Sequence, residues 1–378
     1  MEDHKEAYFQ KFCERPWKRK GEITPDQKKV ELRQFINGCK EDIIRCYAGT
    51  IELTLKDGID LVDIILVDAC FIIELFLMNF ENENHEKDYI LSSPWLREAV
   101  ELELILFENQ LPYSLLQDLF NYAFPAASSS SNPRKECSTD DHAIDIYKAK
   151  SVIKFLELTC QFFKDYSMEK SAKGVTVKPK HFTDLVRHFM CPDGEMTWEG
   201  DSANTPIKSR YTIRKLTAAG VNFVPASERA AGFIVKSNFG SPNSMYLELT
   251  KLCIKDDTEC IIRNVMALEQ FLYPNKAYVC NYFLLMDKLV DTVEDVDFLI
   301  GEIVIVNMLG SSQAAANLIN TLCDHIMEEK SCYTDICKEL NDHYETSWNR
   351  HVIVVRKRDK HNIDASIYGK TKKINQRQ

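Results

Sequence analysis

Carboxylates embedded in apolar stretches are the side chains of this sequence whose type and spacing suit chemistry. The first stretch runs from Ile64 to Leu77 and sets Asp68 and Glu74 among aliphatic and aromatic residues. The second runs from Glu101 to Tyr113 and contains Glu108-Asn109-Gln110. An acid in such surroundings is costly to bury unless it is paired or hydrogen-bonded. Two roles follow from that cost. A desolvated carboxyl beside a second carboxylate can work as general acid and base. The same groups, met by Arg or backbone donors, fix helix packing and perform no reaction. Glu269, within an apolar helical pattern, and Asp287, after Tyr282 to Met286, repeat the motif. The candidate acids are therefore Asp68, Glu74, Glu108, Glu269 and Asp287. Asn109, Gln110, Arg263, Asn264 and Gln270 are the candidates for a structural polar network. Arg263 is the expected fork-shaped partner for one of the earlier carboxylates.

Helices must position these groups. At 100° per residue, Asp60, Asp63 and Glu74 fall within about a 60° arc, with Asp68 to one side, so the acids draw a polar stripe along an apolar helix. Asp60 and Asp63 suit its N-terminal, solvated end. Pro94 opens a further helix expected to reach Asn109, which would place Glu101 and Glu108 on one face. Other helical segments are expected at His4–Cys13, Pro25 to about Ala48, Tyr113–Ala123, Ala143–Tyr166, His181–Met190, Glu259–Leu272, Ala277–Leu289, Val293–Leu299, Ser312–Glu328 and Tyr333–Trp348. Phe233–Phe239 and Ser244–Ile254 read as strands joined by Gly240-Ser-Pro-Asn243, a hairpin. The fold class is mainly α: one large helical domain over residues 1–355 with a small β-hairpin. Mobile loops are expected near 124–142 and 191–209, and a disordered basic tail over 356–378.

Bulk properties narrow the function classes. The chain has 378 residues, 45% hydrophobic and 28% charged, with a net charge of −10, as in a soluble globular protein. The segment from Arg356 carries eight Lys/Arg against Asp359 and Asp364, so +6, which leaves −16 on the preceding body. That balance argues against nucleic-acid binding by the folded part. Thirteen Cys, none in a C-x-x-C pair, read as reduced intracellular thiols. His181 and His188 share a helix face but have no further ligand at metal-site spacing, and Cys332 and Cys337 have no second pair, so no metal is expected. Walker, G-x-G-x-x-G, G-x-S-x-G and H-E-x-x-H motifs are missing, and no cofactor is called for. Acids interrupt the most apolar stretch, Leu61–Phe80, so it reads as a buried helix rather than a membrane span.

Read in order, several strings resemble the plant domain-of-unknown-function family 247, also called uncharacterised protein family 0481. They are Glu2-Asp-His-Lys5, Leu66 to Phe76, Ser93-Pro-Trp95, Leu106 to Pro112, His181 to His188, Leu216 to Phe223, Arg263 to Gln270 and Tyr282 to Leu309, together covering roughly residues 2 to 350. Members of that family usually begin with an upstream segment and end in a membrane-spanning helix. Here the position after Trp348 holds only Val352-Ile-Val-Val355 and the basic tail, so the expectation is a soluble, cytoplasmic protein without an integral membrane segment.

The resemblance implies a plant protein of interaction, signalling or recognition type with a protein partner, since some grass members look like determinants of self-incompatibility. It supplies no catalytic residues. The alternative is a cofactor-independent isomerase or cyclase of plant specialised metabolism, acting on a small-molecule substrate through an acid/base pair such as Glu74 and Glu108.

Overall fold

A computed structural model describes residues 2–17, 23–47, 60–81, 88–125, 154–166, 177–192, 209–227, 232–241, 244–328 and 330–347. The fold is mainly helical, with a few short strands. The chain divides into two compact units, Met1–His188 and Phe189–Gln378. The loops expected near 124–142 and 191–209 and the tail over 356–378 lie largely or wholly outside the described residues.

The first unit is built around one helix. Its elements are α1 (Glu2–Glu14), α2 (Pro25–Arg45), α3 (Leu61–Glu81), α4 (Pro94–Ile105), α5 (Tyr113–Ala123) and α6 (Phe155–Phe162). Helix α7 (Phe182–Met190) spans the boundary in the chain. The apolar stretch of α3 buries an unbroken run from Ala69 to Leu77, as a helix apolar all round must. Helices α1, α2, α5 and α6 pack against it. Phe76 is the aromatic hub, with ring centroids of Phe162, Phe182, Phe163 and Phe155 at 4.5, 5.4, 5.9 and 6.2 Å. Helix α2 starts from a capping box, in which Thr24 and Gln27 exchange side-chain and backbone hydrogen bonds ahead of Pro25. That arrangement satisfies N–H groups the helix itself leaves unpaired.

Helix α4 stops earlier than the sequence suggests. Leu106 has ψ of 122°, so Glu108 lies beyond the helix, and Glu101 and Glu108 do not share a helical face. The cause is local. The Gln110 amide donates to the carbonyls of Leu104 and Leu106 at 2.7 and 2.6 Å, closing the helix end with a side chain.

The second unit contains α8 (Ile213–Ala218), α9 (Thr258–Leu272), α10 (Tyr278–Leu289), α11 (Val293–Gly301) and α12 (Ser312–Leu322), with a last helix over 334–347. The expected hairpin is present as β2 (Val235–Ser241) and β3 (Ser244–Leu249), antiparallel, with an irregularity between Phe239 and Ser241. Met245, Leu247 and Leu249 point into the core at period two. Two features extend this picture. Strand β1 (Val221–Pro225) joins β3 in parallel, making a three-stranded sheet in the order β1-β3-β2. The segment 244–254 is two strands rather than one: β4 (Leu252–Ile254) leaves the sheet and pairs in parallel with β5 (Ile305–Asn307). Five- and three-residue strands carry too little alternation to register as periodicity. Tyr282 anchors the sheet to α10, stacking on Phe233 at 4.5 Å and donating to the Thr250 carbonyl at 2.8 Å.

Candidate functional site

The acids of α3 do not act as one stripe. Three different cations divide them. Arg33 of α2 takes the N-terminal pair, donating to Asp60 at 2.7 Å and Asp63 at 2.6 Å on the exposed side. Lys5 of α1 meets half-buried Asp68 at 2.8 Å and Glu2 at 3.2 Å. Arg15, just beyond α1, donates from Nε to Glu74 at 2.5 Å and from both terminal nitrogens to Glu81 at 2.9 Å. The fork geometry of guanidinium suits this shared grip.

Burial and pairing oppose each other at this clasp. Glu74 is 2% exposed, and desolvation pushes its carboxyl above the ordinary range even though Arg15 pulls it down. For Arg15 desolvation works against the charge, but the bonds from Glu81 and Glu74 outweigh it and hold the cation more firmly. One cation serving two carboxylates explains the asymmetry. Lys28 closes the corner from beneath, donating to the carbonyls of Cys13 and Arg15 at 2.9 and 2.7 Å.

Glu101 on α4 is another buried acid of the first unit. Burial raises it to about 7, with Arg97 opposing and Asp165 adding to the rise. Arg97 approaches within 3.0 Å as an ion pair but without an aligned N–H···O bond. Its charge is the largest opposing influence, but burial outweighs it.

The remaining candidates lie in the second unit. Glu269 is fully buried and accepts the Cys280 N–H at 2.9 Å. That N–H belongs to the first turn of α10, where a helix favours negative charge. Arg263 does not serve an N-terminal carboxylate: it binds Glu259 at 2.9 Å and the Thr321 carbonyl at 2.8 Å. The local i,i+4 acid reached it first. Asn264 returns to the Cys260 carbonyl at 2.8 Å. Gln270 exchanges bonds with the Met327 backbone at 3.2 and 3.3 Å. Asp287 is half-buried beside Lys288 at 3.2 Å.

The structure brings Asp68, Glu108, Asn109 and Gln110 to one place, lining a cavity of about 580 Å³ in the first unit. Glu74 of the same unit is not part of that lining. The cavity wall is apolar, formed by residues such as Ile43, Ile64, Ile65, Phe71, Ile72, Leu104 and Phe182, with Lys5, Tyr47 and Glu103 at the polar side. The volume lies in the range of small-molecule sites. Gln110 is the pin of the wall. Besides closing α4, its side-chain carbonyl accepts the Phe182 N–H at 3.0 Å, and its backbone carbonyl accepts the Tyr47 hydroxyl at 2.7 Å. Asn109 donates to the Glu103 carbonyl at 3.2 Å. Sequence reasoning did not single out Arg15, Arg33 or Tyr47, and met Lys5 only within a family string. Their long-range partners come from tertiary packing.

Fold and site together define a mainly helical protein with ion-pair clasps around a central helix and an apolar cavity beside it. No described helix is long and apolar enough to cross a membrane. The chain belongs to DUF247, plant protein of unknown function, which it matches over residues 1–365. It is 24% identical over 321 residues to the UPF0481 protein At3g47200 of Arabidopsis thaliana, covering 78% of this chain and 61% of that protein. It is 29% identical over 152 residues to the putative UPF0481 protein At3g02645 of the same plant, covering 39% of this chain and 28% of that one. The chain thus spans about three fifths of the length of the first of these relatives. No solved structure matches.

Proposed function

We propose that this chain is a recognition module of signalling type whose first unit takes up a small, largely apolar molecule. The cavity of about 580 Å³ carries the reading. Its wall is built to stay open in one shape, because Gln110 ties the end of α4, the start of α7 and Tyr47 together. A pocket held by such bonds needs little reordering on binding, which favours affinity.

The presence of Asp68 and Glu108 in the same cavity supports a second reading, an acid/base reaction on the bound molecule. The surroundings favour binding over catalysis. Glu108 is exposed, and Asp68 is already paired with Lys5, whereas a general acid at neutral pH depends on desolvation. Glu108→Gln separates the two readings: lost turnover with retained binding would establish the reaction.

The test of the cavity uses N-phenyl-1-naphthylamine, a neutral probe that fluoresces in apolar surroundings. The full chain is expected to bind one equivalent. Ile64→Trp and Leu111→Trp, both at half-buried positions on the wall, fill the space and abolish binding while far-UV circular dichroism stays unchanged. Equal probe binding by the wild type and both folded variants would refute the cavity as the site.

A further inference from the structure

Taking the cavity as the binding site, we propose that its ligand is an amphipathic cation: an apolar body bearing a protonated amine. The inventory of polar groups in the lining carries the inference. The donors there are largely spent within the protein. Two of the three Lys5 protons serve Asp68 and Glu2. The Tyr47 hydroxyl donates to the Gln110 carbonyl. The Gln110 amide is used twice on α4, and the Asn109 amide faces the Glu103 carbonyl and carboxylate at 3.2 and 3.5 Å.

The acceptors are in surplus. Glu108 receives no hydrogen bond or ion pair from any described residue. Glu103 receives only the weak Asn109 contact at 3.5 Å, and Asp68 offers a second oxygen beyond the one held by Lys5. Of the charged groups in the lining, Asp68, Glu103 and Glu108 outnumber Lys5, so the cavity wall carries −2. An anionic headgroup would meet repulsion and find its single cation occupied. A neutral headgroup would find few donors. A protonated amine brings three donors and a positive charge, while its apolar body covers Ile64, Ile65, Phe71 and Leu104.

Displacement of the neutral probe tests the ligand class separately from the cavity. The competitors are octylamine, octanol, octanoate and spermidine, all at neutral pH and below micelle formation. Octylammonium is expected to displace the probe about tenfold more effectively than octanol, the scale of two exposed ion pairs, with octanoate weakest. Spermidine, cationic without an apolar body, should fall below octylammonium. Glu103→Gln/Glu108→Gln alters two exposed side chains and should erase the preference without weakening octanol. Equal displacement by the three eight-carbon compounds would overturn the cationic class while leaving the cavity intact. Spermidine matching octylammonium would show that the acids alone are recognised, and would also overturn it. Failure of the neutral probe itself to bind would remove the cavity reading and this inference with it.

Discussion

Arg15→Met gives the most informative perturbation of the first unit. It removes the one guanidinium shared by Glu74 and Glu81 while keeping much of the side chain's apolar bulk. Glu81 is 15% exposed and can be solvated, but Glu74 is almost sealed. Removing one partner of a buried pair costs about 3–5 kcal/mol, because the remaining charge stays desolvated. The cost should depend on pH, with a definite sign. The folded pKa of Glu74 already lies above its unfolded value. Above both values its ionised form weakens the fold, and protonation on lowering the pH relieves that strain. Without Arg15 the carboxyl loses the largest pulls holding it down, keeps only that of Lys11, and moves further up. The penalty is therefore largest at about pH 8 and shrinks towards about pH 5.

Urea unfolding followed by tryptophan fluorescence reads this directly, because Trp17 lies 6.3 Å from Phe12 of α1 and senses the clasp region. The control is Arg15→Met combined with Glu74→Leu, which removes the stranded charge together with its partner. Replacing a buried pair by apolar groups of similar size is commonly neutral or better. The double variant should therefore recover most of the lost stability and lose its pH dependence. The reasoning fails if Arg15→Met costs less than about 1 kcal/mol at pH 8, as an exposed pair would. It fails equally if the double variant is as unstable as the single one.

Two further outcomes follow from other parts of the chain. Glu101 is raised from 4.5 to about 7 by burial, so wild-type stability should fall by about 3 kcal/mol as pH rises through that window; Glu101→Gln should flatten the fall in unfolding measured against pH. Gly232 has φ of +74°, and a Cβ there would lie 2.2 Å from the Cys191 backbone, so Gly232→Ala should destabilise the second unit by more than about 2 kcal/mol, and a thermal transition within a degree of wild type would contradict the close approach.

Much of the fold was legible because helices announce themselves by length and period. Helix α5 falls over Tyr113–Ala123 as its pattern indicates, and α3 begins and ends close to its apolar run. Elements below the length of a period escaped. The three residues of β5 pair with β4 across 53 positions of chain, and no local pattern records such a partner. The end of α4 escaped for a different reason. Its residues favour continuing, and a side chain five positions beyond, Gln110, decides where it stops.

The acids show the same limit at the level of function. Asp68 and Glu74 lie six residues apart on one helix and read alike in the sequence: both are acids within the same apolar run. Their fates differ because α1 passes both of them. Its first turns set Lys5 beside Asp68, and Arg15, just past its end, lies beside Glu74, 59 residues away in the chain. Periodicity states which face a carboxylate occupies, and only the opposing surface states whether that face is sealed or open. Glu74 met a shared guanidinium and became part of a clasp. Asp68 met a lysine at the edge of a cavity, and that lysine holds only one of its oxygens. The clasp and the cavity share one packing event, α1 against α3, which supplies Arg15 to the first and Lys5 to the second. Loosening the clasp should therefore weaken ligand uptake even in variants that leave every lining residue unchanged.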